Sequence, residues 1–217
     1  MEKALKEIAE AVIKGKAPAV KDLVQSCIDE GVSPTEIMDK GLIAGMDVVG
    51  KKFKAEELYL PEVMVAARAM SAGLALLDPI LGSHNAAPKG TIALATVKGD
   101  VHDIGKNMVA MMFRGAGYKI VDLGVNVEEG KIVQTIRDEK PDILALSALL
   151  TLSLPNVKIA LEALKEAGLR QKVITMVGGA PVTQEFADDI GADGYAPDAA
   201  SAVERAAELR AERRSGE

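Results

Sequence analysis

No tryptophan occurs in the 217 residues, and tyrosine and phenylalanine occur three times each. So sparse an aromatic set argues against a base-stacking platform for nucleic acid. The formal net charge of −6 points the same way, because a nucleic-acid surface needs a basic face. Cys27 is the only cysteine, which excludes a disulfide framework and suits a reducing, cytoplasmic setting. No apolar run approaches the ~18 residues that span a bilayer. The first residues are charged and amphipathic, without a signal-like apolar core. Histidine is nearly absent as well, since the chain holds only His84 and His102. Against these absences stand 48% hydrophobic and 27% charged residues, enough to bury a core at a length that suits one or two domains.

Residues 1–82 carry helical patterns only. A first helix is predicted over about 2–14, ending at Gly15, and a second over about 17–30, with Pro18 in its first turn and Gly31 after its end. Ser33-Pro34-Thr35-Glu36 opens a third, with Ser33 as N-cap and Pro34 at the first helical position, running to about Phe53. A fourth starts near Leu60-Pro61-Glu62, with the apolar face Leu60, Val63, Met64 and Ala67. Short loops between four helices predict a small antiparallel bundle. Residues 83–89, SHNAAPK, are polar and read as a linker, with His84 a solvated residue within it.

From residue 90 to 217 the pattern becomes strand alternating with helix. Strands are predicted at about 91–97, 118–122, 143–147, 173–177 and briefly near Gly194, with a last helix over about 199–213. Apolar strands separated by helices predict a five-stranded parallel sheet covered on both faces, in a flavodoxin-like (Rossmann-like), doubly wound α/β domain. In that order the ligand crevice lies beyond the carboxyl ends of the first and third strands.

The stretch Gly99-Asp100-Val101-His102-Asp103-Ile104-Gly105 falls in that crevice, on the loop after the first strand. In an extended segment residues two apart point the same way, so Asp100 can lie beside His102. A carboxylate on one imidazole nitrogen sets the tautomer and leaves the other nitrogen free to ligate a metal. The bland alternative is a helix-capping histidine. Ser147 and Leu149 follow the third strand, and Gly178-Gly179 follows the fourth, so three motifs meet at one sheet edge. Other chemistries lack their residues. A P-loop needs four residues between its glycines and a Ser/Thr after the lysine, whereas five lie between Gly99 and Gly105, and Asn107 follows Lys106. G-x-G-x-x-G after the first strand is absent, as is a G-x-S-x-G serine elbow. A phospho-receiver would carry an aspartate where Ser147 stands, and zinc would be short of ligands.

Asp100, His102 and Gly105, then Ser147 and Leu149 after 41 residues, then Gly178 and Gly179 after 28 more, resemble the D-x-H-x-x-G, S-x-L and G-G pattern of the cobalamin-binding domain of corrinoid methyltransferases and mutases. With the helical region, the resemblance extends to the free-standing corrinoid proteins of anaerobic methyltransferase systems (methylamine, methanol or methyl-ether type). It also extends to the cap plus cobalamin-binding domains of cobalamin-dependent methionine synthase. The resemblance implies cobalamin or a related corrinoid, with His102 as lower axial ligand of cobalt and Asp100 and Ser153 as the relay behind it. Val101, Asp103, Ile104 and Gly105 belong to the same loop. Ser147, Leu149 and Thr151 would line the channel for the cofactor's displaced nucleotide tail. Gly178 and Gly179 would let that tail approach the backbone, with Tyr195 and Asp198 at the far end. Phe53, Leu60, Val63 and Met64 would belong to a helical cap over the upper face.

The implied function is a methyl carrier. It takes a methyl group on Co(I) from a substrate-specific methyltransferase and passes it from methyl-Co(III) to a second methyltransferase, which serves tetrahydrofolate or a thiol such as coenzyme M. A reductive activator is implied, and neither nucleic acid nor membrane is. Such a chain is not a complete catalyst alone. The alternatives within the same fold are a cobalamin-based sensor or regulator, whose upper-face tryptophan this chain lacks, and a mutase subunit, which uses a separate barrel partner.

Overall fold

The computed structural model describes residues 2–81 and 88–215. Its residues fall into two units, Met1–Pro88 with Arg114–Gly117, and Lys89–Phe113 with Tyr118–Glu217. Residues 82–87, with His84 and most of the expected linker, lie outside the described residues. Among those described, no helix is long and apolar enough to cross a membrane.

The first unit is helical. α1 spans Glu2–Ile13 and buries Leu5, Ile8, Ala11 and Val12, the three-and-four spacing of one helix face. α2 spans Ala17–Asp29 and buries Val20, Val24 and Cys27. The expected third helix is helical throughout but not uniform. A turn, α3 (Pro34–Glu36), leads into a π-helical stretch over Ile37–Ile43 and then α4 (Ala44–Lys54). Apolar periodicity over one or two turns does not separate i→i+4 from i→i+5 pairing, so the π stretch left no mark in the pattern. Ser33 does precede Pro34 at the helix start, yet its side chain makes no capping hydrogen bond. Glycines let these helices touch. A Cβ at Gly41 would lie 3.0 Å from Ile8 Cγ2, and one at Gly45 would lie 2.8 Å from the Ala9 carbonyl oxygen. α5 spans Leu60–Leu81, where Gly73 meets Leu42 and Val20 in the same way.

The second unit alternates strand and helix: β1 (Thr91–Thr96), α6 (Ile104–Gly115), β2 (Lys119–Asp122), α7 (Glu129–Glu139), β3 (Ile143–Ser147), α8 (Leu154–Glu166), β4 (Ile174–Gly178), α9 (Gln184–Asp189), β5 (Gly194–Tyr195) and α10 (Ala199–Ser215). The sheet is parallel throughout in the order β2-β1-β3-β4-β5, the flavodoxin-like order the alternation predicts. Both faces of its central strands are buried. Ala93, Ala95, Leu144, Leu146 and Val177 pack with Ile132 and Ile136 of α7 and with Val157, Leu161 and Leu164 of α8. Ile92, Leu94, Ile143, Ile174 and Met176 are buried on the alternate positions. This double burial is why the strands read as near-continuous apolar runs.

Charged groups tie the amino edge. Asp142 accepts from the Thr91 amide (2.7 Å) and from Arg210 (3.1 Å), whose guanidinium lies 5.6 Å from the Tyr118 ring centroid. Asp193 accepts from both Arg170 nitrogens at 2.9 Å and from the Thr175 amide and hydroxyl. Burial works against the Asp193 carboxylate, but these donors hold its pKa below the ordinary value. The carboxyl edge is where the three motifs gather, because the register aligns Thr96 with Ser147 and Ser147 with Gly178.

Candidate functional site

Asp100 is fully buried at this edge and collects donors from two loops. Its Oδ1 accepts from the His102 amide (3.0 Å) and lies 2.7 Å from His102 Nδ1. Its Oδ2 accepts from the Leu149 amide (2.7 Å), the Leu150 amide (3.0 Å) and the Ser153 hydroxyl (2.9 Å). Side chain of residue i to amide of i+2 is an Asx-turn. Asp100 and His102 are thus paired by a turn, and the extended alternation assumed from the sequence is not what brings them together.

Burial alone would push the Asp100 carboxyl up. The His102 and Leu149 amides, the His102 ring and the Leu150 amide outweigh it and hold the pKa well below the usual carboxylate range. An ionised carboxylate only accepts, so the proton between it and His102 belongs on Nδ1. In the neutral form of the ring the lone pair is then on Nε2. The side chain of His102 is 48% exposed, and among the described residues Nε2 has no hydrogen-bond partner. An imidazole oriented from behind by a buried anion and open in front is a metal-ligand arrangement.

Ser153 has one hydroxyl proton and two acceptors, Asp100 Oδ2 and the Leu150 carbonyl at 2.7 Å, so it serves one at a time. Two backbone amides hold Oδ2 regardless.

The imidazole loop and the loop bonded to it carry exposed apolar side chains. Val101 is 68% exposed and Ile104 71%; on the β3–α8 loop, Leu149 and Leu150 are also exposed and Leu152 is 90% so. Large apolar side chains left uncovered beside an oriented histidine indicate a ligand with apolar surface. A Cβ at Gly105 would meet nothing within 4 Å, so the fold itself has room there for a side chain that the sequence omits. Asp103 lies in the same loop, its carboxylate 3.1 Å from Asn107 Nδ2.

The other candidates divide. Ser147 and exposed Thr151 lie on the same edge as His102. Gly179, read from sequence as a place for close cofactor approach, is required by the chain itself. Its φ is +123°, and a Cβ there would lie 1.9 Å from the Ala148 carbonyl oxygen. At Gly178 a Cβ would lie 3.0 Å from the Ala196 carbonyl oxygen. Gly179→Ala is expected to destabilise the protein by about 1–3 kcal/mol, the usual cost of such backbone strain. That is a fall of roughly 2–12 °C in Tm, measurable by calorimetry, and an unchanged Tm would contradict the contact. Asp198 caps α10, accepting from the Ser201 amide (2.8 Å) and hydroxyl (2.9 Å). Tyr195 is half-buried against the sheet core. In the helical unit, Phe53 is half-buried on α4, Val63 is buried and Met64 is exposed on α5. Leu60 opens α5, and its side chain lies outside those described.

Sequence reasoning missed several contributors. Lys106, weighed only as a P-loop lysine, is buried. Its Nζ lies 2.6 Å from both Asp122 oxygens and 3.0 Å from Asn107 Oδ1, turned inward where no phosphate could reach it. Thr96, Asn126 and the Leu150 amide are the others. Asn126 and the Leu150 amide meet partners remote in sequence, and Thr96 bonds to a backbone carbonyl, a group every residue carries, so no local pattern marks them.

Residues 90–204 match the B12 binding domain family, and residues 4–78 match a second family of the same description. Over 211 residues the chain is 46% identical to dimethylamine corrinoid protein 1 of Methanosarcina acetivorans, covering 97% of this chain and 99% of that one. The chain belongs to the corrinoid proteins. A second corrinoid relative, the trimethylamine corrinoid protein of Methanosarcina barkeri, is 42% identical over 204 residues, 93% of this chain and 94% of that one. Among solved structures, this corrinoid protein superposes with a TM-score of 0.85 and 32% identity on a chain of the methanol:cobalamin methyltransferase complex from Methanosarcina barkeri, over 96% of its own length and 80% of that chain.

The residues fit the cofactor that membership implies. A corrinoid brings its own cobalt, so a single imidazole nitrogen of the protein would suffice to hold it. His102 presents one such nitrogen, and the open space at Gly105 with the exposed apolar side chains nearby suits the approach of a large ring.

Proposed function

We infer that this corrinoid protein carries a methyl group on a bound corrinoid, with His102 as the protein ligand to cobalt. The observation that carries the reading is the imidazole itself: Nδ1 bonded to a fully buried carboxylate, Nε2 open, at the crevice of a B12 binding domain. When bound, the corrinoid supplies a cobalt centre that takes a methyl group from a donor and releases it to an acceptor. The chain's part is to hold and orient. Asp100 keeps the Nδ1 proton in place and so keeps Nε2 a donor. The His102, Leu149 and Leu150 amides keep Asp100 ionised, and Ser153 adds a hydrogen bond to its Oδ2. Ser147, Leu149 and Thr151, with the Gly178–Gly179 turn, are assigned to the nucleotide tail. Tyr195 and Asp198 are assigned to its far end, Asp198 through its backbone, since its carboxylate is engaged by α10. Phe53, Leu60, Val63 and Met64 are assigned to a helical cap that keeps water from the methyl-bearing face.

Methyltransferases are the partners. The names of the relatives, with dimethylamine, trimethylamine and methanol among them, support a substrate-specific methyltransferase as donor-side partner. A second methyltransferase acting on tetrahydrofolate or a thiol, and a reductive activator, complete the proposed cycle. We place the domain boundary in the polar stretch 83–89, where composition changes.

The test is reconstitution of the full chain with hydroxocobalamin. Stoichiometric retention through gel filtration and a spectrum showing the nucleotide base displaced from cobalt are expected, followed by methyl uptake from methyl iodide after reduction. A chain that retains no corrinoid would overturn the reading.

A further inference from the structure

Behind the His102 loop, on the side away from Leu149 and Leu150, lies the β2–α7 loop. Asn126 sits there in the left-handed region at φ +50°, a conformation non-glycine residues adopt rarely and asparagine more readily than most. It touches the ligand loop twice. Its side-chain Oδ1 accepts from the Gly99 amide at 2.8 Å, and its own amide donates to the Asp100 carbonyl at 2.8 Å. The two bonds bracket the Gly99–Asp100 peptide. Gly99 itself is left-handed at φ +78°, the most permissive backbone in the loop. Thr96, fully buried, donates its hydroxyl to the His102 carbonyl at 2.8 Å. Asn156 Nδ2 reaches the Lys98 carbonyl at 2.8 Å.

We propose that Asn126 is a positioning residue for the histidine ligand, a main-chain clamp that fixes the glycine-hinged peptide from which Asp100 and His102 project. The Asp100 carboxylate meets donors on four residues, His102, Leu149, Leu150 and Ser153, at hydrogen-bond distance. That match survives only if the peptide carrying it is held, because rotation about Gly99 would move the carboxylate away from Leu149 and Leu150. The clamp acts on Asp100 and, through it, on the imidazole. Asn126 need touch no cofactor. Its consequence for cobalt rests on the corrinoid reading above, whereas the clamp itself is a property of the cofactor-free chain.

Two variants separate side chain from backbone. Asn126→Gly keeps the left-handed conformation and the amide donor but removes the Oδ1 acceptor. Asn126→Asp keeps an acceptor oxygen on the same stem. Amide hydrogen exchange in the cofactor-free protein reads the clamp. Loss of one neutral hydrogen bond corresponds to roughly a 2–10-fold shift in a local opening equilibrium. Exchange of the His102, Leu149 and Leu150 amides is therefore expected to quicken about 2–10-fold in Asn126→Gly. The amides of Ile92–Leu94 in β1 should stay unchanged, and Asn126→Asp should return to wild-type rates. In hydroxocobalamin-loaded protein reduced to Co(II), the nitrogen splitting in the electron paramagnetic resonance spectrum should weaken in Asn126→Gly at a fixed pH and recover in Asn126→Asp. Unchanged exchange at the three amides overturns the proposal, as does a uniform change that tracks global stability. Wild-type protein that binds no corrinoid would overturn the functional reading while leaving the exchange result to judge the clamp.

Discussion

Replacing His102 by alanine is expected to remove the axial nitrogen from bound cobalt while leaving a folded protein that still takes up corrinoid. The imidazole is half exposed, and it gives Asp100 only one of the donors that hold it. The residue-102 amide, the Leu149 and Leu150 amides and Ser153 remain. The buried carboxylate therefore stays satisfied, and Tm should change little. Ligation has no such redundancy. His84 and His102 are the only histidines in the sequence, and among the described residues it is His102 whose ring nitrogen is bonded to a buried carboxylate. In the Co(II) state, nitrogen splitting should be present in wild type and absent in His102→Ala. Corrinoid retention should fall but persist through the proposed contacts to the nucleotide tail. Splitting unchanged in the variant would show that this histidine is not the ligand.

The second large effect is expected at Asp100→Asn, nearly isosteric yet wrong in its protons. A carboxylate accepts on both oxygens, and every group around this one is a donor. If the amide oxygen faces Leu149, Leu150 and Ser153, the amide nitrogen faces His102. It cannot accept from the His102 amide, and it donates to Nδ1. The imidazole proton then moves to Nε2, the atom whose lone pair the metal needs. Changes of this kind behind a metal ligand typically cost about 10–100-fold in affinity or activity, so nitrogen-ligated cobalt should fall sharply although the histidine is intact. Leaving a buried donor unsatisfied adds a stability loss of about 1–3 kcal/mol.

The acid side gives a check with a definite sign. The Asp100 pKa is lowered by folding, so its contribution is fully present above the ordinary carboxylate range and is lost as pH falls through the depressed folded value. The stability advantage of wild type over Asp100→Asn should accordingly shrink as pH drops below about 4. Ser153→Ala should be milder than either, because two amides already hold Oδ2. A Ser153→Ala effect as large as that of Asp100→Asn would mean the serine, and not the amides, governs the carboxylate.

Legibility followed the range of the interaction. β3 was read to the residue and the other strands to within one or two, since a sheet buried on both faces writes itself as apolar runs between turn residues. The Asp100–His102 pairing was visible because its partners are two residues apart, although the Asx-turn that makes it was not. Ser153 came only through family resemblance, being 53 residues from Asp100. Gly179 was noticed as a place for close cofactor approach, and only the folded chain shows that the Ala148 carbonyl oxygen also occupies the space of a Cβ there.

By itself, then, the sequence determined the two regions, the parallel sheet, the crevice loop and the one histidine with an adjacent carboxylate. Periodicity and spacing are local, and local physics suffices for each. Tertiary structure alone decided that Asp100 is ionised, that Lys106 is spent on Asp122, and that Asn126 and Thr96 hydrogen-bond to the loop carrying His102. Each depends on the parallel register of the sheet, which aligns Leu94 with Asp122 and Thr96 with Ser147. That register brings donors and acceptors from distant parts of the chain within 3 Å, and a buried carboxylate takes its charge state from that assembled set of partners, which no window of the sequence contains.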